Sequence, residues 1–169
     1  ENVNRFANAL RRLGVQPEQR VALMLLDTPA FAYSFFGAIK AGAVPVPLNT
    51  LWRARDYQYA LNDSGARVLV ISAALVGEFS AIDRAALRRL AHVIVVGGLT
   101  NGNLSFDAVL AESSPSCEAE PTHRDGMAFE HQAVRDHRHH VAGLDQQVAS
   151  LDGIALHAAT RARGRAHRS

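Results

Sequence analysis

The chain has 169 residues, enough for one well-filled core, so a single domain is expected. Almost half of them are apolar (48%), and no apolar run approaches the ~20 residues of a bilayer-crossing helix, so a membrane-spanning helix is excluded. The formal net charge of +2 belongs to residues 124–169, with seven arginines against five acids; residues 1–123 balance eleven Lys/Arg against eleven Asp/Glu, which argues against nucleic-acid binding.

In chain order, Val3, Phe6, Ala7, Leu10 and Leu13 recur at helical spacing, with Arg11 and Arg12 facing away and Gly14 ending the run. A polar turn containing Pro17 leads into Val21–Leu26, an apolar run too short for a surface helix and suited to a strand buried on both faces. Asp27-Thr28-Pro29 then supplies capping side chains and a proline whose fixed φ fits a first helical turn. Phe31, Phe35, Ala38 and Ile39 mark one face of that helix, and Gly42 ends it. Val44–Leu48 reads as a short strand that Pro45 and Pro47 confine to a sheet edge or to a strand that soon leaves the sheet. A helix over about 54–62 stops at Gly65, and Val68–Ile71 is another buried strand. Strand, helix, strand, helix, strand predicts an α/β fold: a parallel sheet with crossover helices.

Ala73 to Phe79 is apolar with weak periodicity. Ile82–Leu90 reads as an amphipathic helix, packing through Ile82, Ala86 and Leu90 and wetted by Asp83, Arg84, Arg88 and Arg89. His92–Val96 is a further strand closed by Gly97-Gly98, Ser105 caps a short helix through Phe106, Val109 and Leu110, and 112–121 is a loop or linker.

Three stretches of this order carry a resemblance: Leu25-Leu26-Asp27-Thr28-Pro29, then the run Gly37-Ala38-Ile39-Lys40-Ala41-Gly42-Ala43-Val44-Pro45-Val46-Pro47-Leu48-Asn49-Thr50, then Asp63-Ser64-Gly65-Ala66-Arg67. Together they resemble the N-terminal part of adenylate-forming acyl-CoA synthetases, the AMP-dependent synthetase/ligase superfamily. The wording Leu-Asp-Thr and Pro-Leu-Asn-Thr-Leu is most similar to benzoate-CoA and related aryl-CoA ligases. These are packing motifs, so the resemblance implies the N-terminal subdomain of that fold. It places a helix like 3–13 after further residues, so the N-terminus, opening at Glu1, is expected to be cut. For the complete enzyme it implies that a carboxylate, ATP and CoA give acyl-CoA, AMP and pyrophosphate through an acyl-adenylate, with Mg2+ and a small aromatic carboxylate as substrate.

In that family an Asp-x-x-Ala-Phe stretch such as Asp125-Gly126-Met127-Ala128-Phe129 leads into a Ser/Thr/Gly-rich loop ending Pro-Lys-Gly. Phosphate binding needs such a loop, because glycine lets backbone N–H groups approach and a lysine adds charge. Here the pattern breaks at Glu130, with no such cluster and no lysine after Lys40. All eleven aromatic residues lie at or before Phe129 and six of the eight histidines after it. Residues 1–129 are therefore expected to be a partial N-terminal domain, truncated relative to the family. Residues 130–169, rich in His, Arg and Ala, are expected to be an unrelated tail, disordered or read from a shifted frame.

No catalytic, cofactor-binding or metal-binding residue is assigned. His137, His139 and His140 lack an accompanying carboxylate or thiol at ligand spacing. Arg161, Arg163, Arg165 and Arg168 form a short basic end, which is the composition of a solvated terminus. Asp27 and Thr28 sit where open α/β sheets bind ligands, but capping explains both. Gly97-Gly98 lacks the rest of a dinucleotide fingerprint. Trp52, Tyr57 and Tyr59 are packing candidates, and Cys117, the single cysteine, has no base beside it in sequence, so neither a disulfide nor a nucleophile is expected. The expectation is a cytoplasmic, catalytically silent fragment of an aryl-CoA ligase, with no nucleic-acid or membrane partner. Two alternatives stay open: a binding module whose His/Arg tail contacts metal or nucleic acid, and one half of a split ligase completed by a complementing chain. A cut domain is also expected to leave apolar sheet surface bare, and so to be poorly soluble or partly molten.

Overall fold

The computed structural model describes residues 1–98, 100 and 102–121. Its elements are α1 (Asn2–Arg12), β1 (Arg20–Met24), α2 (Pro29–Lys40), β2 (Val44–Pro47), α3 (Ala54–Asp63), β3 (Val68–Ser72), α4 (Val76–Ser80), β4 (His92–Val96), β5 (Leu104–Ser105) and α5 (Phe106–Ala111). The strands form one sheet in the order β2-β1-β3-β4-β5, with every pairing parallel. This is the α/β architecture that the strand–helix alternation predicts.

The central strands read as apolar runs because each has two cores to fill. On one face, Val21, Leu23 and Leu25 join Val68, Val70 and Ile94 under Phe6, Leu10, Phe106 and Val109. On the other, Ala22, Met24, Leu69, Ile71, Val93 and Val95 meet Tyr57, Leu61, Phe79 and Leu87. The expectation of a bare sheet face does not hold among the described residues: β3 is buried throughout and β1 from Val21 onward.

At the β2 edge the two prolines sit where they do no harm. Val44 N–H donates to Gln19 O and Leu48 N–H to Leu23 O, both at 2.9 Å, so this alternate set faces β1. Pro45 and Pro47 therefore point their missing donors outward, and the outer edge offers no N–H to a further strand. Gly42, with φ of 78°, ends α2 in the left-handed conformation expected of it.

Four readings of the sequence need correction. The closely packed face of α2 is made by Ala30, Ser34, Gly37 and Ala38, while Phe31 and Phe35 flank it half-buried and stacked on each other at 5.9 Å. Small residues win because α1 lies so near: a Cβ on Gly37 would stand 2.8 Å from Phe6 Cδ1. Thr28 holds the cap position of α2, but its side chain makes no capping hydrogen bond. No helix spans 82–90; only a 3₁₀ turn, Arg84–Ala86, forms there. Asn62 pins this segment, donating to Ala86 O (3.0 Å) and accepting from Arg88 N–H (3.4 Å), and Ala91 N–H is drawn to Arg67 O (2.9 Å) before a helix can propagate. Ile82, Leu87 and Leu90 still bury, without helical spacing.

The fourth concerns Arg11 and Arg12, which do not face empty solvent. The irregular segment after α5 lies along α1 and is gripped mainly through its backbone carbonyls. Asn4 donates to Pro115 O (2.8 Å), Arg5 to Ser113 O (2.7 Å), and Asn8 to both Ser114 O (2.9 Å) and Ser116 O (2.8 Å). Arg11 reaches Glu118 O (3.0 Å) and the Glu120 carboxylate (3.3 Å), and Arg12 reaches Glu112 O (2.8 Å). At its far end Glu120 N–H caps α2 by donating to Lys40 O (2.9 Å).

Candidate functional site

An open parallel sheet binds ligands most readily beyond the carboxyl ends of its strands, where the chain switches direction of travel. Here that point lies between β1 and β3. From β1 the chain crosses by α2 to β2 on one side, then by α3 back to β3 on the other. There Leu26 N–H donates to the hydroxyl of Ser72 (3.0 Å), a buried side chain, and so ties the ends of β1 and β3 together. Asp27, Thr28 and Pro29 follow, all exposed, at the start of α2.

Beside them, beyond β2, the turn at 48–53 is firmly built. Asn49 accepts Leu51 N–H on its side-chain oxygen (2.9 Å), and its carbonyl accepts the Tyr57 hydroxyl (2.8 Å). Trp52 is half-buried against Tyr57, with ring centroids 6.0 Å apart. Burial pushes the Tyr57 phenol up to about 12, with the charges of Glu78 and Asp56 adding and a backbone hydrogen bond from Trp52 opposing. A phenol so raised is neutral across physiological pH and serves as a buried donor. Tyr57 is core, Trp52 leans on it, and Tyr59 is exposed.

On the other side of the fork, Gly97 has φ of 69°, and a Cβ on Gly98 would lie 2.5 Å from Ala73 Cβ. These glycines let the end of β4 approach the 3₁₀ turn that follows β3, which accounts for both without a phosphate. Glu78, which the sequence did not single out, acts across elements: it accepts Arg53 Nη1 (2.9 Å) and Ala54 N–H (3.2 Å), holding the start of α3 from α4.

Cys117 is half-buried; its sulfur accepts a hydrogen bond from Arg11 Nη1 (3.3 Å) and donates to Glu118 O (3.3 Å). His92 is the one histidine among the described residues, at the opposite end of the sheet in the first position of β4. No group of three or more His, Cys, Asp or Glu among the described residues could hold a metal ion, and no helix among them is long and apolar enough to cross a membrane. His123 to Phe129, His137, His139, His140 and the arginines at 161, 163, 165 and 168 lie outside the described residues.

Comparison with known proteins gives the family of this fold. Residues 1–143 match the family described as AMP-binding enzyme. The chain belongs to the AMP-binding enzyme family. Over 128 residues it is 44% identical to the benzoate–CoA ligase of Thauera aromatica, an alignment covering 75% of this chain and 24% of that one. Among solved structures it is similar to the anthranilate CoA ligase AuaEII in complex with anthranoyl-AMP, with a TM-score of 0.73 and 36% identity over 76% of this chain and 25% of that one. It is also similar to a benzoate CoA ligase from Burkholderia xenovorans LB400, with a TM-score of 0.64 and 38% identity over 76% and 25% of the two chains. This chain therefore resembles the N-terminal part of an aryl-CoA ligase, and it spans about a quarter of the length of the relatives it matches. The stretches Leu26-Asp27-Thr28-Pro29 and Pro47-Leu48-Asn49-Thr50 that carry the resemblance lie at the β1–α2 and β2–α3 junctions of this chain.

Proposed function

We propose that this chain is the opening α/β segment of the large domain of an aryl-CoA ligase, and that it does not catalyse the reaction on its own. The observation that carries this reading is the 44% identity to a benzoate–CoA ligase over 128 residues, confined to a quarter of that enzyme. In the reaction so implied, an aromatic carboxylate oxygen attacks the α-phosphorus of ATP and pyrophosphate leaves, giving an acyl-adenylate. The CoA thiolate then attacks the acyl carbon and AMP leaves. An acyl-adenylate, anthranoyl-AMP, is the molecule named with one of the similar structures.

Magnesium and a phosphate-cradling loop supply the positive field such a step needs. In the family's pattern that loop follows the stretch at 125–129, and the sequence after it carries no Ser/Thr/Gly cluster with a lysine. The domain boundary is placed at residue 129, where the Ser/Thr/Gly pattern fails, with 130–169 as a tail that does not complete the fold; the family match continues to residue 143.

The test is direct. The purified chain is incubated with benzoate, ATP, Mg2+ and CoA, and the thioester is measured. No benzoyl-CoA above the protein-free control is expected; sustained turnover would overturn the proposal.

A further inference from the structure

We draw no further inference here: the strongest candidate, the surface patch of exposed arginines Arg67, Arg88 and Arg89 at the amino edge of the sheet, is interspersed with the exposed acids Glu18 and Asp63, and nothing in the structure shows what covers it.

Discussion

Tyr57 is fully buried with its hydroxyl committed to the Asn49 carbonyl, so its role is read in stability rather than chemistry. Tyr57→Phe keeps the ring and loses one hydrogen bond while stranding a carbonyl, so a loss of about 1 kcal/mol is expected at neutral pH. The pH dependence has a definite sign. The phenol is raised in the folded state to about 12 from an ordinary 10, so folding favours the protonated form. Its contribution is fully present below pH 10 and is lost as pH rises from 10 toward 12. Denaturant titrations of both proteins across that window are therefore expected to converge, the wild type losing stability faster. A gap that stays constant or widens would show that the buried phenol is not the titrating group.

The small-residue face of α2 gives a second test at single positions. Gly37→Ala gains about 1 kcal/mol of helix propensity but drives a Cβ to 2.8 Å from Phe6 Cδ1 and 3.0 Å from the Val3 carbonyl. Overpacking of that kind costs about 1–3 kcal/mol, and Phe6 is wholly buried with nowhere to go, so the net effect is destabilising. Three residues away, Ser34 is buried and its hydroxyl has no partner. Ser34→Ala is expected to raise stability by about 1 kcal/mol, since it removes an unsatisfied polar atom and improves helix propensity. Chemical denaturation of the pair checks both signs. Stabilisation by Gly37→Ala would mean that α1 yields, and the close helix contact would not be a constraint.

At the scale of elements, the grip of α1 on the segment after α5 is the feature with the most polar contacts and the least apolar burial. Ser114, Pro115, Ser116, Glu118 and Ala119 are exposed, so hydrogen bonds and not packing hold them. Local openings begin in such regions. Removing two gripping side chains, Asn8→Ala with Arg11→Ala, deletes the bonds to Ser114, Ser116, Cys117, Glu118 and Glu120. Deuterium uptake over 113–120 is expected to rise strongly while the β3 amides stay protected. Unchanged uptake there, or a loss of protection that spreads to β3, would contradict a locally held strap.

This grip also marks the limit of what the sequence makes legible. Strands β1, β3 and β4 stand out because burial on both faces demands continuous apolar runs, and α2 and α3 are bounded by Pro29, Gly42 and Gly65, whose backbone preferences are local. Pro45 and Pro47 restrict β2 to an edge or to an early exit from the sheet for the same reason, and the strand order makes it the edge. By contrast, Asn4, Asn8 and Arg11 read as an ordinary solvated helix face, because their partners lie about a hundred residues away and are main-chain carbonyls that carry no sequence signal. The segment 82–90 misleads because its apolar spacing imitates a helix, whereas its burial is dictated by contacts with Asn62 and the entry of β4. The carboxyl edge is legible only in its glycines and Asp27-Thr28; that Leu26 closes on Ser72, and that Leu51 is presented outward, depends on strand pairing.

For the whole molecule, the expectation of a partly molten chain meets a sheet whose central strands are covered on both faces. The two cores share β1, β3 and β4, alternate side chains of one strand going to opposite sides. Neither core can empty without withdrawing the strands from the other, so unfolding of the described part is expected to be a single cooperative transition. Leu10 lies in the core under α1, and Leu69 in the core under α3. Each is fully buried, so Leu10→Ala and Leu69→Ala should each cost about 2–5 kcal/mol. Because they sit on opposite faces and share no partner, the double variant should lose close to the sum. The measurement is far-UV circular dichroism, which follows all the helices, against fluorescence of Trp52, which reports on the Tyr57 side alone. Coincident curves in wild type and both variants, displaced together by either substitution, are the expected result. Separate transitions, or a Leu10→Ala shift invisible to Trp52, would mean that the two faces unfold independently and that the shared sheet does not couple them.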